Sequence, residues 1–201
     1  MKAAGPPVNA TSLNRVDPEF NQAILKKVNA LVRSNSWNSR RLALWTASLD
    51  RLRPKIIAAK NIIELQQAIN EALQSLNSSH TQFLTINDEA FYLLHCLFAL
   101  DNRDVKPRLI DFTGISTGNG SDGFNTVRYV LDHSPASLVG IKRGDEILGV
   151  NEKPFLGQLS FWDTARKEVQ LSLKRKGNLI HVSIVPEKAD LYTRYVEAIG
   201  D

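Results

Sequence analysis

A single cysteine, Cys96, is all that the 201-residue chain carries, which excludes an internal disulfide and a cysteine-only metal cage. It stands in the apolar run Leu94-His95-Cys96-Leu97-Phe98, the setting of a buried, inert thiol rather than a nucleophile. Long hydrophobic runs are missing too: no window approaches the roughly 18 consecutive apolar residues of a membrane-spanning helix. The opening Met1-Lys2-Ala3-Ala4-Gly5-Pro6-Pro7 lacks the apolar core of a secretory signal, which leaves a cytoplasmic protein or one whose signal has been removed. There is no internal repeat, no low-complexity tract and no phosphate-cradling glycine motif in a strand-to-helix setting. The four histidines form no i, i+4 pair and no HExxH segment occurs, so neither a metal nor another cofactor is expected.

What is present is an ordinary globular balance, 43% apolar and 23% charged, with an uneven spread of charge. Residues 1–60 carry 11 Lys and Arg against 3 Asp and Glu, a net of +8, while residues 61–201 come to −4. The basic side chains scatter along helical patterns (Lys26, Lys27, Arg33, Arg40, Arg41, Arg51, Arg53) with little aromatic interleaving. That reads as a solvated helix face, or one meeting an acidic partner domain, in preference to a nucleic-acid surface. A binder of anionic surfaces is the competing reading of the same segment.

Residues 1–16 form a lead-in rich in Pro, Gly, Asn and Ser. Asp17 then caps a helix with Pro18 at its first position, and Phe20, Ile24, Val28, Leu31 and Val32 share one face. Leu42, Trp45, Leu49 and Leu52 predict a second helix, ended near Pro54. Asn61 with Glu64 three residues on is a relative of the capping box, opening a third helix with the stripe Leu65, Ile69, Ala72, Leu73, Leu76. Asn77-Ser78-Ser79 stops it. A fourth helix begins near Asn87, with Phe91, Leu94, Leu97 and Phe98 as its apolar face. Four such helices bury each other's stripes as a small bundle over 17–103.

Beyond Asp104 the period switches from about 3.6 to 2. Strands are expected at 124–131, 146–150, 169–173 and 179–185, with Arg175-Lys176-Gly177-Asn178 as a hairpin connection. Residues 104–188 then form a mostly antiparallel β unit, and the whole is α+β. In residues 189–201 apolar side chains recur at helical spacing up to the last residues, which reads as the start of a linker to a further domain.

The most informative stretch is Ser134-Pro135-Ala136 through Gly140-Ile141 to Gly144-Asp145-Glu146-Ile147-Leu148-Gly149-Val150-Asn151. Ser134 caps a one-turn helix opened by Pro135, Gly140 ends it, and Gly144 turns the chain into a strand. This pattern strongly resembles a PDZ domain of the bacterial protease type, which implies a β-sandwich or partly open barrel. PDZ domains take an extended peptide, usually its C-terminus, as an added strand, with the free carboxylate held by backbone amides of a glycine-containing loop. The matching loop here is Thr113-Gly114-Ile115-Ser116. Gly114 would let the backbone approach the ligand, and Ile115 would line the pocket for the last side chain. Leu159, Phe161 and Trp162 are candidates for the segment flanking the groove.

Upstream, Leu73 to Phe83 with Asp88-Glu89-Ala90-Phe91-Tyr92-Leu93-Leu94, and Arg53-Pro54-Lys55 before them, look like the N-terminal region of carboxyl-terminal processing serine peptidases. The resemblance covers about residues 17–188 and implies helices, then a PDZ domain, then a catalytic core that carries the nucleophilic serine. No residue here matches that serine. Some members of the family draw a Ser–Lys dyad from that core; Ser79-His80 matches the Ser-His pair of the tricorn-like branch, where His80 would take the nucleophile's proton and Ser79 would help orient it.

On this reading the chain is the non-catalytic N-terminal and PDZ portion of such a peptidase. It recognises C-terminal peptides or unfolded protein and gates its own core domain. A second copy of the chain is a further candidate partner, and the resemblance implies a periplasmic or exported enzyme. The alternative is a stand-alone PDZ adaptor.

Overall fold

The computed structural model describes residues 14–35, 38–78, 81–102, 104–120 and 123–200. They divide into two units, Met1–Thr85 and Ile86–Asp201.

Among the described residues three helices make the first unit: α1 (Pro18–Asn35), α2 (Ser39–Ala58) and α3 (Ile62–Leu73). Asp17 caps α1 through the Phe20 amide at 2.8 Å, as its position before Pro18 predicts. The face of α1 is turned from the one expected. Leu25 and Val32 are buried, with Ile24 and Val28 packed alongside, whereas Phe20 and Leu31 face solvent.

Asn21 takes the core position in place of Phe20 because it answers a backbone demand. Its amide donates to the carbonyls of Ile57 and Ala59, at 3.1 and 2.9 Å, at the end of α2. Helix α2 also outruns Pro54, which lies inside it. Proline removes one amide donor, but Ile56 beyond it is fully buried in the same core as Trp45, Leu49 and Leu52. The packing of that last turn outweighs the lost bond.

The start of α3 follows the sequence reading closely. Asn61 Oδ1 accepts the Glu64 amide at 2.9 Å, and Glu64 reaches back to the Lys60 amide at 2.9 Å. Leu65, Ala68, Ile69, Ala72 and Leu73 then point inward. Asn77, at φ +47°, closes the 3₁₀ turn that follows.

The second unit opens with α4 (Glu89–Asp101), which packs with the strands that follow. Its N-cap is Asp88; Asn87, expected in that role, accepts the Leu159 amide instead, at 3.0 Å. The helix is apolar on several sides, and spacing alone does not choose among them. Tyr92 is buried with Ile110, Phe112, Leu131 and Leu191, and Cys96 is buried as well, while Leu94, Leu97 and Phe98 of the expected face are exposed. Cys96 is 2% exposed, and burial pushes its thiol pKa up, which fits the inert thiol the sequence predicts.

Strands β1 (Ile110–Phe112), β2 (Ile115–Gly120), β3 (Gly123–Val130), β4 (Glu146–Val150), β5 (Lys153–Pro154), β6 (Val169–Arg175), β7 (Asn178–Ile184) and β8 (Glu187–Ala189) follow. The one-turn helix α5 (Pro135–Leu138) lies between β3 and β4, and α6 (Leu191–Gly200) closes the unit. The main sheet has the order β2-β3-β4-β6-β7 with β5 on β4, all antiparallel; β1 and β8 form a separate pair. The sheet is open and not closed into a barrel, and the fold is α+β with a PDZ-like sheet. Its core gathers Ile115, Val127, Ile147, Val150, Phe161, Val169, Leu171, Leu173 and Ile184.

The β6–β7 hairpin turns on Lys176 and Gly177, both at positive φ, as a type I′ connection requires. Helix α6 packs on α4 within the unit through Leu191 and Tyr195. Ala189 and Leu191 are buried in this unit's core, while Val196 and Ile199 are exposed.

Candidate functional site: the β2 edge

The Ser134-Pro135-Ala136 signature does more than make a turn. Ser134 Oγ accepts the Ser137 amide at 3.3 Å and caps α5. From the same short stretch, the Ala136 amide donates to the Thr113 carbonyl at 2.9 Å, and the Leu131 amide to the Gly114 carbonyl at 2.9 Å. The loop Thr113-Gly114 is thus held from below by the motif that first marked the domain.

Gly114 sits at φ +80°, and a Cβ there would fall 2.1 Å from both Cβ and Oγ of Ser134. Only glycine fits this close approach without moving the Ser134 cap. The Ile115 amide donates to Thr113 Oγ1 at 3.2 Å, so the Thr113 hydroxyl already models an oxygen acceptor at the loop. Ile115 is 3% exposed and embedded in the core, so its side chain lines the floor and not an open pocket.

Strand β2 is an outer strand of the sheet, bonded to β3 on one side, with Ser116 registered against Tyr129. An edge strand with a free row of amides and carbonyls is the template for strand addition. The turn Gly157–Phe161, expected to flank the groove, buries Leu159 and Phe161 completely, and Trp162 is half-buried beside Tyr92, Arg108 and Gln158 around a cavity of about 40 Å³. Asn87 clamps this turn through Leu159, and a Cβ on Gly157 would meet Asn87 Oδ1 at 2.7 Å.

Two charged arrangements near the site were not legible in the sequence. Asp145, 1% exposed, holds Arg175 by two bonds of 2.6 Å and accepts the Lys142 amide at 2.8 Å. Burial alone would raise its pKa, but Arg175 and the Lys142 amide outweigh it and hold the carboxyl below the usual range. The second is Glu89 on the first turn of α4, which accepts the hydroxyls of Ser116 and Tyr195, each at 2.8 Å. Burial raises its pKa against the pull of those two bonds, and burial together with Glu89 raises that of Tyr195.

Ser79 and His80 lie outside the described residues. Their neighbours Ser78 and Thr81 are bonded at 2.9 Å and help line a cavity of about 480 Å³ in the first unit, with Val28, Val32, Leu76 and Phe83. Among the described residues no group of three or more His, Cys, Asp and Glu is placed to hold a metal, and no helix is long and apolar enough to cross a membrane.

The comparisons with known proteins come to bear here. No family model matches the chain. Over 129 residues, 64% of the chain, it is 28% identical to the chloroplast carboxyl-terminal-processing peptidase 1 of Arabidopsis thaliana and covers 24% of that protein. Over 100 residues, 48% of the chain, it is 35% identical to tight junction protein 1 of Mus musculus and covers 5% of it. Among solved structures it is similar to a photosystem II D1 C-terminal processing protease, with TM-score 0.44 and 18% identity, covering 84% of this chain and 44% of that one. The chain thus spans about a quarter, or much less, of the length of these curated relatives. The sequence likeness to a processing peptidase supports a PDZ-containing, protease-like relationship.

Proposed function

We propose that the second unit binds the free C-terminus of an extended peptide as a strand added to β2, within a longer peptidase of the carboxyl-terminal processing type. The observation that carries the reading is the Thr113–Ser116 loop. A glycine at positive φ is tied down by the Ser-Pro-Ala segment and leads directly into an edge strand. Backbone amides at such a corner form a nest for an anion, and the edge supplies the ladder for the residues that precede it. The chain's role is recognition and presentation; the nucleophile belongs to a core domain elsewhere in the polypeptide. Assignment of Ser79 and His80 to the tricorn-like branch, with His80 as base toward that core's serine, is part of the same proposal.

Titration of the chain with two peptides that differ only in a free or amidated C-terminus tests this. The free acid is expected to bind in the micromolar range or weaker, about −8 kcal/mol or less favourable. The amide should bind at least about tenfold more weakly, since a charge-assisted bond to the nest is lost. Equal affinity for the two peptides contradicts a carboxylate nest.

A further inference from the structure

We infer that Glu89 sets a preference for a cationic side chain, Lys or Arg, at the penultimate position of the bound peptide. The inference rests on the strand-addition reading above and deepens it. Side chains along an added strand alternate between the two faces of the sheet. With the terminal carboxylate at Thr113-Gly114, the last side chain faces the core side, where Ile115 points. The one before it faces the opposite side, where Ser116 projects to Glu89.

The surroundings on that side are suited to a cation. Each Glu89 oxygen accepts one hydroxyl, from Ser116 and from Tyr195, which leaves acceptor capacity on both, because an ionised carboxylate offers about four lone-pair sites. Glu89 is half-buried as a residue, so its field is screened less than at an open surface. Tyr195 lies at Glu89 itself, bonded to it through the phenol hydroxyl. An aromatic ring beside an acid offers a Lys or Arg both a charge partner and a ring face. An acidic penultimate residue would meet Glu89 with like charge, and an apolar one would gain nothing from it.

Three free-acid peptides that differ only in a penultimate Lys, Ala or Glu, titrated into the chain and into Glu89→Gln, decide the matter. Glutamine keeps the side chain's shape and one acceptor oxygen, so the hydroxyl bonds that seat α4 survive in part. The Lys peptide should bind the natural chain about tenfold more tightly than the Ala peptide, and the Glu peptide more weakly than both. In Glu89→Gln the Lys advantage should vanish with the Ala peptide's affinity unchanged. Equal binding of all three, or a Lys advantage that persists in Glu89→Gln, overturns the inference and leaves the peptide site standing. If none of the three binds, the peptide site falls and this inference falls with it.

Discussion

Replacing Asp145 by alanine should destabilise the second unit by about 2–3 kcal/mol, the range for losing hydrogen bonds to a buried charged group whose partner, Arg175, is itself 29% exposed. Asp145 is 1% exposed, and three donors converge on it: two from Arg175 and the Lys142 amide. Arg175 also donates to the Gly140 carbonyl at 2.8 Å, so the same guanidinium ties the end of β6 to the turn after α5. Loss of the carboxylate therefore loosens the turn that positions the Ser-Pro-Ala segment, and through it the Thr113-Gly114 loop.

The pH dependence has a definite sign. A carboxyl held below its ordinary value of 3.8 contributes stability that is present above that value and lost as the pH falls through the lower folded value. Urea unfolding at neutral pH, repeated under acid conditions, should show the gap between natural chain and Asp145→Ala closing as Asp145 protonates. A neutral-pH difference within about 0.5 kcal/mol, the usual range for a surface change, would sink this account of the pair.

Gly114→Ala should be damaging as well, and for a different reason. The backbone conformation at φ +80° costs a side-chain-bearing residue about 1–3 kcal/mol of strain. The new methyl also falls 2.1 Å from two Ser134 atoms, and overpacking adds about 1–3 kcal/mol or forces the cap aside. The carbonyls of Thr113 and Gly114 are held from the 131–136 segment, so the displacement passes straight to the loop amides. The expected result is a lowered unfolding midpoint together with loss of free-acid peptide binding. Unchanged binding in a folded Gly114→Ala chain would show that the loop geometry is not what recognises the ligand.

What the sequence makes legible is what local chemistry controls. The start of α3 follows from Asn61 and Glu64 because a cap is satisfied within four residues. The β6–β7 hairpin follows from a Lys-Gly pair that accepts positive φ. Where periodicity fails, a distant partner has intervened. Asn21 displaces Phe20 from the core because the end of α2, over 30 residues away, needs donors for its carbonyls. Asn87 leaves its capping role for a turn 72 residues on.

The site divides along the same line. The turn at Gly114 is readable because a glycine at positive φ is a local matter. Glu89 is not, since only the folded chain brings it to Ser116, 27 residues along, and to Tyr195, 106 residues along. Ile115, expected to line the pocket for the last side chain, is buried on the inward face of β2.

The central claim is that a peptide adds to β2 and not to the other outer strand, β7. Mapping backbone amide shifts by NMR as a free-acid peptide is added tests it most directly. The account predicts that the largest changes fall on Gly114, Ile115 and Ser116 and continue along β2, with β7 from Asn178 to Ile184 unmoved. Changes centred on β7, or none along Thr113–Ser116 at saturating peptide, would contradict it.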